Sequence, residues 1–85
     1  MLKADGFDDA VIGIGSRCGS EDVIVYDAEK CIEILVRDHD MDPDEALDYF
    51  SFNTLGSYVG QLTPVFVWQR SMKEIDDEQS LESLN

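Results

Sequence analysis

The sequence predicts a small α+β domain of element order α-β-α-α-β, with a two-stranded sheet packed by helices and dimerisation as a means of completing it. Three observations lead there. Residues 22–26 and 63–68 are short runs of β-branched and aromatic residues, which read as strands. Between them lie two segments of helical spacing. The chain has 85 residues, near the size at which one core only just suffices. Two strands alone are marginal in water, so pairing of sheets or helices between two chains is expected.

The central helix has the clearest start. Asp42 suits the N-cap, Pro43 the first helical position and Glu45 the third, which ties down N–H groups left unpaired at a helix entrance. Carboxylates at Asp42, Asp44 and Glu45 also complement the helix dipole. Gly56 suits a left-handed C-terminal cap. On a helical wheel Ala46, Leu47, Phe50, Thr54 and Leu55 share a core face, while Tyr49 and Phe52 point away from it.

Residues 1–6 read as a frayed start. From Phe7 the apolar positions Ala10, Val11, Ile14 and Cys18 keep helical spacing and predict a first helix ending near Gly19. Gly13 and Gly15 oppose it, each costing about 1 kcal/mol relative to alanine. The competing reading is a strand over residues 10–14. After the strand at 22–26, Asp27 caps a helix running to about Asp38, with Ala28, Cys31, Ile32 and Leu35 as its buried stripe. Glu33 and Arg37 are ordered for an i,i+4 ion pair. Residues 57–62 read as a loop, and Pro64 stands at the start of the last strand, where a missing N–H is tolerated. Residues 1–70 form the domain. Residues 71–85 read as an acidic, disordered tail, with Ile75, Leu81 and Leu84 leaving room for a short docking helix.

The charge balance is the strongest compositional signal. Nineteen acidic against six basic side chains give −13. Such a surface is repelled by nucleic acid and by anionic membranes, so direct binding to either is not expected. It suits basic protein surfaces or cations. Two cysteines are no disulfide framework, and reduced, buried thiols in a cytoplasmic protein are expected. No apolar run approaches the ~20 residues needed to span a bilayer.

Motifs for chemistry fail on context. The run from Gly13 to Gly19 resembles a dinucleotide loop, but Cys18 occupies the third glycine position and no long helix follows it. Arg17 beside Cys18 would lower the thiol pKa if both were exposed. Alternating carboxylates from Asp38 to Asp44 resemble a calcium loop, yet Pro43 stands where glycine is needed and Tyr49 where glutamate is needed. His39 is the only histidine, and no zinc-ligand spacing surrounds it. No catalytic residue, metal or cofactor is expected.

Two surface features remain. Asp38, Asp40, Asp42, Asp44, Glu45 and Asp48 crowd one helix entrance, where spaced carboxylates can imitate a phosphate backbone in a basic groove. Tyr49, Phe52, Tyr58 and Trp68 are aromatic candidates for a partner or dimer interface.

Residues 49–67, with Gly13 to Gly19 and Val25-Tyr26-Asp27 upstream, resemble short bacteriophage proteins for which no function is established. The resemblance covers most of the chain except the acidic tail. It implies a viral origin and brings no activity or site residue. The functional expectation is an acidic, phage-type inhibitor or adaptor that binds a basic surface of a host protein. A nucleic-acid-binding or defence protein in the host cytoplasm is the partner expected. The second expectation is a non-enzymatic structural or regulatory homodimer.

Overall fold

The computed structural model describes residues 1–57 and 59–79. A single 3-10 turn, Asp8–Ala10, leads into β1 (Val11–Gly15), followed by β2 (Val23–Asp27), α1 (Ala28–His39), α2 (Pro43–Tyr49), a π-helical stretch (Phe50–Leu55), β3 (Val65–Val67) and α3 (Met72–Glu78). The sheet order is β1-β2-β3: β1 pairs antiparallel with β2, and β2 pairs parallel with β3. Parallel neighbours need a long crossover, and α1, α2 and the π-helical stretch supply it. The fold is therefore α+β, but with three strands in the sheet among the described residues rather than two.

The added strand replaces the helix expected over residues 7–18. Val11, Ile12 and Ile14 are β-branched, and a hairpin partner at β2 outweighs the 3.6-residue spacing. A Cβ at Gly15 would come within 2.8 Å of Val25 Cγ2, so the close approach of β1 to β2 requires glycine there. Gly19, at φ 81°, turns the chain between them. The glycine run is thus a strand and its hairpin turn, with no helix opening behind it.

β2 feeds α1 directly. The Asp27 carboxylate accepts a hydrogen bond from the Lys30 N–H at 3.2 Å, and Asp40 closes the helix in the left-handed conformation at φ 56°. Ala28, Cys31, Ile34 and Leu35 are buried along α1; Ile34 joins the stripe read from the sequence, and Ile32 is only half-buried. Glu33 pairs with Lys30 instead of Arg37, which turns to Asp38.

The core lies between one sheet face and the helices, and aromatic contacts hold it. Tyr26 stacks on Phe66 across β2 and β3 at 5.3 Å between centroids. Phe66 and Trp68 each meet the Phe50 ring edge-on, at 5.3 and 5.9 Å. Phe7, Ala10 and Ala46 complete the buried set together with α1. The first residues are pinned rather than frayed: the Ala4 N–H donates to the Tyr26 hydroxyl at 2.8 Å, and Lys3 pairs with Asp8.

Residues 72–78, read from composition as part of a disordered tail, form α3. Ser71 and Glu74 make a reciprocal capping box, and Arg70 ties the entrance to Glu29 of α1 at 3.2 Å. Leu81 and Leu84 lie outside the described residues, as does Tyr58.

Candidate partner-binding surface

The helical ridge from Asp42 to Leu55 carries the surface, and its entrance forms as the sequence dictates. The Asp42 carboxylate accepts from the Glu45 N–H at 2.9 Å, with Pro43 in the first turn. Ala46 and Phe50, four residues apart, are fully buried and fix which face turns inward. After Tyr49 the winding widens to i→i+5, a rare arrangement that recurs at functional sites. The Asn53 side-chain amide donates to the Tyr49 carbonyl at 3.2 Å, and the Ser57 hydroxyl donates to the Asn53 carbonyl at 3.0 Å. These bonds help satisfy carbonyls that the wider winding would leave open.

The side-chain exposures correct the face assignment. Leu47 and Leu55, placed in the core by a regular helical wheel, are 42% and 44% exposed, and Thr54 is half-buried. Gly56 sits at φ −74°, so it ends the stretch without the left-handed cap read from its identity.

The structure separates the aromatic candidates. Phe52 is 81% exposed. Tyr49, 44% exposed, instead lines a cleft of about 580 Å³ together with Leu2, Phe7, His39, Met41 and Asn53. Trp68 packs edge-on against Phe50 at the core margin, so it braces the ridge from beneath. Sequence reasoning missed the cleft because residues 1–6 read as a frayed start and Phe7 as the first position of a helix; Leu2 and Phe7 were the apolar signal for it.

All six acidic candidates are exposed, but they divide by role. Asp38 accepts from Arg37 Nε and Nη2 at 2.8 and 3.0 Å, and that hydrogen-bonded guanidinium holds its carboxyl below the usual range. Asp40 ends α1 and Asp42 caps α2. Asp44, Glu45 and Asp48 make no side-chain hydrogen bond or ion pair among the described residues. Asp44 and Asp48 stand one turn apart, a like-charge spacing that costs a few tenths of a kcal/mol in a helix. Phe52 follows four residues after Asp48. The ridge thus exposes Leu47, Phe52 and Leu55 along a stretch whose carboxylates at Asp44, Glu45 and Asp48 have no cation among the described residues.

Cys31 is buried, and burial, reinforced by the nearby Asp27 charge, pushes its thiol up to about 11. Cys18 is exposed, contrary to the expectation of two buried thiols, because it sits in the hairpin turn. Among the described residues no group of three His, Cys, Asp or Glu side chains is arranged to hold a metal ion, and no helix is long and apolar enough to cross a membrane. No protein-family model, curated protein or solved structure matches this chain.

Proposed function

We propose that this protein is a non-enzymatic acidic inhibitor or adaptor of bacteriophage type, acting in the host cytoplasm on a basic surface of a host protein. The partner class that fits is a nucleic-acid-binding or defence protein, whose groove normally takes a phosphate backbone. One observation carries this: Phe52, 81% exposed, stands on the same ridge as Asp44, Glu45 and Asp48, none of which has a cation in its own chain among the described residues. An apolar anchor rimmed by charge is the usual anatomy of a binding hot spot. The carboxylates steer a basic partner and set the register, while Phe52 supplies the buried contact. The net charge of −13 adds long-range attraction toward such a partner.

The test is retention of proteins from a bacterial lysate on the immobilised full chain at low salt, followed by elution with rising salt. Release of one basic nucleic-acid-binding or defence protein by moderate salt supports the proposal. Recovery of this chain alone, or of nothing, contradicts it.

A further inference from the structure

We propose that the cleft of about 580 Å³ between the N-terminal segment and the end of α2 binds a small organic cation, an ammonium group on a compact aromatic body. The ridge carboxylates and Phe52 take no part in it, so this site and the partner-binding ridge can fail separately.

The walls are built by the fold itself. Residues 2–7 form one side, where the Ala4 N–H donates to the Tyr26 hydroxyl at 2.8 Å and the Phe7 N–H donates to the Ala4 carbonyl at 3.4 Å. A second side comes from Tyr49, Asn53 and Thr54, at the end of α2 and in the π-helical stretch. Widened helical turns of this kind recur at functional sites. The volume lies within the roughly 300–1,000 Å³ of small-ligand cavities.

The lining selects the ligand. Phe7, Tyr49 and Phe66 bring aromatic rings, and Leu2, Leu35 and Met41 bring aliphatic groups, so an apolar body fits. Aromatic rings also attract a cation through their negative faces. Three lining side chains can carry charge: Lys3, Asp5 and His39. Lys3 is engaged by Asp8 at 3.1 Å. Asp5 makes no side-chain hydrogen bond or ion pair among the described residues, which leaves its carboxylate uncompensated at the wall. Asn53 donates its side-chain amide to the Tyr49 carbonyl at 3.2 Å, and its own side-chain oxygen has no donor among the described residues. The neutral form of His39 adds a ring nitrogen that accepts. An ammonium group has three donors and no acceptor, so it matches this surplus of acceptors. The net charge of −13 concentrates cations around the chain and repels anions.

Titration of the full chain with three indoles that share a body and differ in charge tests this: tryptamine, a cation; tryptophol, neutral; and indole-3-propionate, an anion. Backbone amide shifts in heteronuclear NMR should move saturably at Ala4, Phe7, Tyr49 and Asn53. Tryptamine should bind about tenfold or more tightly than tryptophol, and indole-3-propionate most weakly. Asp5→Asn should weaken tryptamine severalfold and leave tryptophol unchanged. Asp76→Asn, exposed on α3, removes the same charge elsewhere and should alter neither. Tyr49→Ala should weaken both. Circular dichroism establishes that each variant is folded. Tryptamine shifts spread equally over the cleft and the acidic surface, with Asp5→Asn and Asp76→Asn acting alike, would mean diffuse attraction of cations and overturn the proposal. So would three indoles that bind alike or not at all.

Discussion

The ring of Phe50 meets Phe66 edge-on, 5.3 Å between centroids at 84°, and this contact joins the end of the helical crossover to the last strand. Phe50 is fully buried, while Phe52, two residues on, is the most exposed large apolar residue described. Phe50→Ala should therefore cost about 3–5 kcal/mol of unfolding free energy by transfer and cavity formation. Phe52→Ala should change it by less than about 0.5 kcal/mol. Urea denaturation of the two variants checks the pair. Equal losses would mean that Phe52 is packed rather than presented.

Charge reversal on the ridge should spare the fold. In Asp44→Lys/Glu45→Lys/Asp48→Lys the cap at Asp42 and the left-handed Asp40 are untouched, and a like-charge i,i+4 repulsion between carboxylates is replaced by one between ammonium groups. The dipole loses favourable charge in the first turn, so a loss of at most about 1 kcal/mol is expected. Capture of a basic partner should vanish in the same variant. Thermal unfolding and retention assays read the two effects separately.

Much of this ridge was legible in the sequence. Asp42, Pro43 and Glu45 give a helix start because capping is local, and Asp27 marks α1 for the same reason. The widening after Tyr49 was not legible: it depends on Phe50 seating against Phe66 and Trp68, which come from β3 and beyond. Leu55 lies inside the widened stretch; Leu47 lies before it, in α2, where Ala46 is the buried residue. The first strand was misread because Ala10, Val11, Ile14 and Cys18 satisfy helical spacing by coincidence, while its hairpin partner lies across the glycine turn. α3 carried a readable signal, Ser71 followed by Glu74, but the acidic composition around it masked the capping box.

The Tyr26 hydroxyl accepts the Ala4 N–H at 2.8 Å and holds the N-terminal wall of the cleft. Tyr26→Phe keeps the ring stacked on Phe66 and removes that acceptor. Stability should fall by about 1 kcal/mol, and amide exchange at Ala4 should quicken. Unchanged exchange would show that the segment is held by other contacts.

Two titrations have defined signs. Hydrogen bonds from the Ser71 backbone and hydroxyl side of the capping box hold the Glu74 carboxyl below its ordinary 4.5. Its contribution to α3 is present above that value and is lost as pH falls through the lowered folded-state pKa. The Ser71 amide shift should follow this acid titration and lose it in Glu74→Gln. Cys31 has the opposite sense. Its folded-state pKa is raised from 9.0 to about 11, so its contribution to stability is full below 9 and declines between 9 and 11. The difference in stability between wild type and Cys31→Ala should shrink over that window. A constant difference would mean that the thiol titrates alike in both states.

The most direct test of the ridge is the affinity of the captured basic partner, measured by calorimetry at two salt concentrations for wild type, Phe52→Asp and the triple lysine variant. The wild-type complex should weaken by about tenfold or more between low and physiological salt, since exposed charges are screened beyond about 8–10 Å. Both variants should lose binding while remaining folded. An affinity that neither salt nor either variant alters would contradict a charge-rimmed contact centred on Phe52.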